Sequence, residues 1–236
     1  MLGNIMVEAK TIDEAFEKWY EILSKQNLEN DSRDGEVAGE VINAISVIED
    51  PTRCIMMNPI RKMPIRYAIG EMLWYRSKNP ALKEIQKYTK NWDRMSDDGI
   101  TVNSNYGYII YEKFGFDQYE YCKELLKKNP ETRQAIIHIK VPTNTIENPT
   151  KDLNCTVSLQ FFLRDGKLSM TAYMRSNDLW FGYPYDVFQF TCLQIQMAME
   201  LGVELGTYTH ISGSLHLYKR DKEAAENNIA KLKGGE

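Results

Sequence analysis

Cys155, in LNCTVSLQFF, stands just before an alternating apolar run. Spacing alone reads a lone cysteine there as part of a core. To act as a nucleophile it needs a cation beside it that holds the thiolate. Arg175, in MRSNDLWFG, is the candidate, because a hairpin at Asp165-Gly166 folds its strand back alongside that of Cys155. Arg33 lies in a Ser/Asp/Gly-rich loop, Arg133 enters a strand, and Arg175 is followed by Ser176. Forked guanidinium donors beside a hydroxyl suit a phosphate. Any one of these arginines alone reads as exposed or ion-paired. Glu71 is the one acid in PIRYAIGEMLWYRS. Burial beside Met72, Leu73 and Trp74 would raise its pKa and make it a general acid/base; a place on the wet helix edge would leave it ordinary. His216 and Tyr218, in SGSLHLY, share a strand face, where they could grip a sugar hydroxyl or sit satisfied in a core.

These residues need elements to hold them. Thr11 with Glu14 fits a capping box, and Ala15, Phe16, Trp19, Ile22 and Leu23 continue a helix to about Leu28. The stretch NLENDSRDGEVAGE is polar and turn-rich, and VINAISVIED after it reads as a strand. Helices are expected over Pro64–Ser77, Pro80–Tyr88, Phe116–Lys128 and Asp186–Leu201, with a polar loop over Asn91–Asn105. QAIIHIKV, VSLQFFLRDGKLSMTAYMRS and GTYTHISGSLHLY are β-rich. From Lys219 the chain is charged and becomes loose at Gly234-Gly235-Glu236. Strands and helices without regular βαβ alternation read as an α+β fold. No boundary divides residues 1–236, so a single domain is expected.

The 236 residues are 43% hydrophobic and 26% charged, which is ordinary globular composition. Against 33 acidic residues stand 29 basic ones, a net charge of -4 that argues against a nucleic-acid binder. Cys54, Cys122, Cys155 and Cys192 are far apart, which speaks against a metal site and a disulfide framework. No apolar run reaches membrane-spanning length, and the N-terminus lacks the apolar core of a signal peptide. The expected compartment is the cytoplasm, or a host's cytoplasm if the chain is phage-encoded.

Taken in order, the motifs resemble the thymidylate synthase family, including its pyrimidine-nucleotide hydroxymethylase branch. Arg33 resembles a phosphate-binding arginine of an N-terminal loop, and GEMLWYRSKN the helix of the catalytic glutamate. Trp92 in NWD and Tyr106 in SNYG resemble the active-site tryptophan and tyrosine. Cys155 with Gln160 resembles the nucleophile segment, RSNDLWFGYPYD the most recognisable stretch, and HLY the sugar-binding motif. The resemblance implies a thymidylate synthase-like fold: a large mixed β-sheet packed with helices, dimerising through the sheet. It implies a cysteine that adds to C6 of a pyrimidine nucleotide so that C5 takes a one-carbon unit from 5,10-methylenetetrahydrofolate. By resemblance Cys155 is the nucleophile, Glu71 and Tyr106 handle protons, and Trp92, Asp178 and Gly182 meet the folate. Arg33, Arg175, Ser176 and the partner subunit's Arg133 hold the 5′-phosphate of the nucleotide. His216 and Tyr218 hold its 3′-hydroxyl. No metal is implied.

Departures from the family pattern point to the substrate. Synthases usually carry Asn where this chain has Asp186. An Asn both donates and accepts and so suits uracil; an ionised Asp only accepts, clashes with O4 and suits the amino group of cytosine. Asn154 and Thr156 flank Cys155, where synthases usually have Pro and often His. Only a short charged tail follows Tyr218, and a looser seal would let water add to the transferred carbon. Gln134 stands where many relatives have a second arginine after Arg133. The expected activity is 5-hydroxymethylation of dCMP, with CMP close behind. The alternative is a methyl product, from a thymidylate synthase or a dCMP 5-methyltransferase.

Overall fold

Strand alternation and two kinds of turn build this fold around one large sheet. The structure, a computed structural model, describes residues 2–140 and 149–234. Among the described residues, nine strands form the sheet: β1 (Leu2–Gly3), β2 (Met6–Ala9), β3 (Asn30–Ser32), β4 (Gly35–Ile48), β5 (Ile136–His138), β6 (Thr156–Arg164), β7 (Lys167–Met174), β8 (Asn177–Asp178) and β9 (Glu204–Tyr218). The order runs β1-β4-β9-β7-β6-β5, with β2 and β3 also on β4 and β8 on β9. β7 pairs parallel with β9, while β4 and β6 pair antiparallel with β9 and β7 respectively, so the sheet is mixed. The helices are α1 (Ile12–Ser24), α2 (Ile65–Arg76), α3 (Leu82–Gln86), α4 (Tyr106–Tyr111), α5 (Gln118–Lys128), α6 (Gly182–Leu201) and α7 (Lys219–Lys233). The architecture is α+β, as expected.

Local chemistry accounts for the elements that match expectation. Thr11 accepts from the Glu14 backbone N–H at 3.3 Å, and the Glu14 carboxylate reaches back to the Lys10 N–H at 2.9 Å. Ile12, Ala15, Phe16, Trp19 and Leu23 are buried. Asp165 (φ 51) and Gly166 (φ 73) supply the two left-handed residues that a tight hairpin between β6 and β7 requires.

Other boundaries differ. The first helix ends at Ser24, and the one after Pro80 spans only Leu82–Gln86. The turn-rich stretch is a hairpin: β3 pairs with β4 around Arg33-Asp34, and β4 begins at Gly35, well before Val41. Partnership with β9 over the length of β4 outweighs its polar composition. α6 starts at Gly182, ahead of Asp186, with Pro184 in its first turn, where a missing N–H costs nothing. The polar loop contains a single 3₁₀ turn at Asn91–Arg94. The charged segment after Tyr218 is a helix, seated through buried Ala225 and an Asn228 side chain that donates to the Ile60 carbonyl at 2.8 Å. Val141, Gly235 and Glu236 lie outside the described residues.

Candidate active site

The β6–β7 hairpin does what its turn predicts. It brings Arg175, one residue past β7, against Cys155, one residue before β6. The Arg175 N–H donates to the Cys155 carbonyl at 2.8 Å, and its guanidinium lies 3.6 Å from the Cys155 Sγ. The same guanidinium donates from Nε to the Asn154 carbonyl (3.1 Å) and from Nη2 to the Leu153 carbonyl (2.8 Å), which fixes the plane of its fork. Burial pushes the Cys155 thiol up; Arg175 pulls it down, Asp186 and Asp152 push it up, and Arg33 pulls it down. Arg33 itself is exposed, bonded to Asp34 and to the Lys151 carbonyl at 3.1 Å.

Glu71 is buried, 5% exposed, on α2. Tyr67, one turn earlier, donates to one carboxylate oxygen at 2.8 Å, and Gln189 of α6 donates to the other at 3.2 Å. Trp92 donates from its indole to the Tyr67 hydroxyl at 3.1 Å, which joins the expected tryptophan to the expected glutamate. Burial raises the Glu71 carboxyl to about 7, against the opposing pull of these donors. Tyr106 begins α4, capped by Asn105, and its hydroxyl accepts from the Thr156 N–H at 3.4 Å, next to Cys155. Burial raises the Tyr106 phenol, and the charges of Asp186 and Cys155 add to it.

Asp186 lies in the first turns of α6, partly buried, and accepts from the Asn177 side chain at 2.7 Å. Burial raises its carboxyl strongly, with Glu71 adding to the effect. Asp178 accepts the Trp180 and Phe181 N–H groups at 2.8 and 3.2 Å, and burial raises it to about 6. Parallel pairing of β8 with β9 sets Asn177 beside Leu215 and Asp178 beside His216. His216 and Tyr218 do share a face, their rings 5.0 Å apart. Ser176 is partly buried between Arg175 and Asn177.

Cys155, Arg175, Arg33, Glu71, Tyr106, Trp92 and Asp186 thus form one connected neighbourhood. Arg133 does not join it within the chain: its side chain is exposed, with no ion pair to another described residue, and its carbonyl accepts from Gln160 at 2.9 Å. A Cβ at position 182 would lie 2.8 Å from the Asn177 amide nitrogen, so any other residue there would have to displace that side chain. Tyr67, Gln189 and Asn177 complete the site and are not among the residues that the sequence singles out. Tyr67 is findable as the residue four before Glu71 on one helix face; Gln189 and Asn177 carry no such signal.

The chain is similar to several known proteins. The family model for thymidylate synthase matches residues 16–234. A deoxyuridylate hydroxymethyltransferase of Bacillus phage SP01 is 35% identical over 193 residues, 72% of this chain and 50% of that protein. The chain therefore spans about half the length of that relative. A deoxycytidylate 5-hydroxymethyltransferase of Enterobacteria phage T4 is 29% identical, over 77% of this chain and 76% of its own. Thymidylate synthase 1 of Bacillus spizizenii is also 29% identical, over 87% and 80%. Among solved structures, thermostable thymidylate synthase A from Bacillus subtilis superposes with a TM-score of 0.75 at 24% identity, over 93% of this chain and 84% of that one. A mixed sheet of the same design, and a match that runs from the first helix to the last, place this chain in the thymidylate synthase family.

Proposed function

We propose that the protein transfers a one-carbon unit from 5,10-methylenetetrahydrofolate to C5 of a cytidine 5′-monophosphate, with water completing a 5-hydroxymethyl group. The observation that carries this reading is Asp186: a carboxyl, not an amide, stands at the entrance of α6, close enough to bear on the charge of Cys155. Its second oxygen accepts from Asn177. A carboxyl with a raised pKa shares a proton with cytosine N3 and accepts from the N4 amino group; toward uracil an ionised carboxyl sets acceptor against acceptor.

Arg33, Arg175 and Ser176, with the partner subunit's Arg133, hold the phosphate, and His216 and Tyr218 the 3′-hydroxyl. The Cys155 thiolate bonds to C6, and the C5–C6 electron pair moves to C5, which takes the one-carbon unit. Tyr106 assists departure of the C5 proton to water, and Glu71 exchanges protons with water at the base. The bond from the transferred carbon to nitrogen breaks as tetrahydrofolate leaves, water adds to that carbon, and the C6–S bond breaks as the thiolate leaves. The net gain on the nucleotide is CH2O.

The folate supplies a one-carbon unit at the methylene oxidation level. Trp92, Asp178 and Gly182 are the residues that would hold it. Asp221 supports the fit. Its carboxyl is buried, with one oxygen that accepts no hydrogen bond and lies 3.6 Å from the Arg220 Nε, and burial, with the neighbouring Asp178, raises it to about 6. A buried carboxylate oxygen that accepts no hydrogen bond suits a ring rich in N–H groups.

The open face of the sheet supports a homodimer. Ile45, Val47, Thr171, Thr209 and Ile211 are only partly covered within one chain, and Tyr173 is 40% exposed. A sheet face of β-branched and aromatic side chains suits a self-complementary interface between two copies.

A second reading has specific support: one relative is named for deoxyuridylate and another is a synthase. Mass spectrometry separates them. With methylenetetrahydrofolate and dCMP, CMP or dUMP supplied singly, a gain of CH2O on a cytosine nucleotide is expected. A gain of CH2 with dihydrofolate formed means a methylase. Turnover of dUMP alone overturns the argument from Asp186.

A further inference from the structure

Tyr208 and His210 lie two residues apart on β9 and project to the same side, sealed from solvent at 0% and 1% exposure. Neither has a part in the reaction above. Both nonetheless lead to it. The Tyr208 hydroxyl is 2.8 Å from His210 Nδ1, His210 Nε2 is 3.1 Å from Asn177 Oδ1, and Asn177 Nδ2 is 2.7 Å from Asp186 Oδ2.

The atoms set the direction of this chain. An amide oxygen only accepts, so His210 carries its proton on Nε2. The ring is neutral, since burial depresses the imidazole to about 3. Nδ1 is then a lone pair, and the Tyr208 O–H donates to it. The Asn177 amide is held with its N–H toward Asp186. The edge of Tyr183 packs on the His210 ring at 5.2 Å and limits its rotation. Gly182 leaves room for the amide, as a Cβ there would meet both Asn177 Nδ2 (2.8 Å) and Asp186 Oδ2 (3.4 Å).

We propose that Tyr208, His210 and Asn177 are positioning residues that fix Oδ2 of Asp186 as its acceptor end and thereby set the choice of cytosine over uracil. The proposal rests on the reading of Asp186 as the residue that faces the base. A carboxyl with one proton donates at one oxygen and accepts at the other. If the two ends could exchange roles, the same group would pair with cytosine in one arrangement and with uracil in the other. An N–H seated on Oδ2 disfavours a proton on that oxygen, since a hydroxyl oxygen is the weaker acceptor, and leaves Oδ1 as the end that shares the proton with N3.

The first test reads the His210 tautomer in the ligand-free protein from two-bond ¹H–¹⁵N correlations; the Nε2–H form is expected, and an Nδ1–H form or an imidazolium overturns the proposal. The second compares kcat/KM for the cytosine and uracil nucleotides. His210→Gln keeps an N–H near the place of Nε2 and should hold the ratio within about twofold. His210→Phe keeps a ring without a donor and should lower the ratio by about tenfold or more. Tyr208→Phe removes only the far donor and should lower it less, in the same direction; it serves as the test if the core does not accept His210→Phe. A ratio unchanged in His210→Phe, or in Tyr208→Phe where that variant stands in, overturns the proposal. A wild-type protein that prefers the uracil nucleotide overturns the functional reading instead, and shows itself before any substitution is made.

Discussion

A thiol buried as Cys155 is needs help to ionise, and Arg175 is placed to give it. The guanidinium also spans two backbone carbonyls, which a lysine could not do while staying beside Sγ. Arg175→Lys should therefore slow alkylation of Cys155 by iodoacetamide at pH 8 by roughly tenfold, followed by peptide mass spectrometry so that the other cysteines do not interfere. Glu71 yields a different kind of prediction. Its folded carboxyl titrates near 7 against an ordinary 4.5. The unfolded chain thus ionises first. No penalty exists below about pH 4.5; stability is lost as the pH rises from there to about 7, and the loss then stays constant. That gap corresponds to about 3 kcal/mol. Glu71→Gln should gain stability relative to wild type across this window, in urea melts at pH 4 and pH 8, while turnover falls by about 10²–10⁴-fold. Equal pH dependence of the two proteins would place Glu71 in water.

At the scale of elements, α2, which carries Glu71, packs on α4, which carries Tyr106. They touch through Gly107: a Cβ there would lie 1.7 Å from the carbonyl oxygen of Tyr75. The Tyr75 and Tyr106 rings pack 5.4 Å apart beside this contact. Gly107→Ala should push the two helices apart, costing about 3 kcal/mol in stability by chemical denaturation. Turnover of the folded fraction should fall as well, because the added methyl displaces Tyr106 from Thr156. Loss of stability with full turnover per folded molecule would show that the helix pair carries only structure. Gly166, at φ 73 in the β6–β7 hairpin, sets the register that delivers Arg175 to Cys155.

The whole molecule leaves one expected site residue unplaced. Arg133 is exposed beside β5 and does not reach Cys155 in its own chain. If the open sheet face joins two copies, each site borrows the partner subunit's Arg133. Cys155→Ala and Arg133→Ala homodimers should then both be inactive. Mixing and refolding them should restore up to about a quarter of wild-type turnover, since half the dimers are mixed and each has one intact site. No recovery on mixing, with dimers present by light scattering, would put Arg133 outside the site.

The sequence alone determined whatever rests on local chemistry. The Thr11 cap, the Asp165-Gly166 turn and the apolar spacing of α1 follow from nearest neighbours, and the ordered motifs from Arg33 to Tyr218 marked the family. Residue chemistry alone also marked Glu71 as an acid in an apolar helix and Arg175 as the cation to go with Cys155, while Tyr106 and Asp186 stood out only through the resemblance to the family. It misjudged the β3–β4 hairpin and α7, whose polar segments become ordered only against β9, β4 and the loop at Ile60. Tertiary structure alone decided whether Glu71 is wet or buried, since that depends on Gln189 from a helix 118 residues away. It alone joined Tyr208, His210 and Asn177 to Asp186, because hydrogen bonds between distant strands leave no periodic trace in a chain.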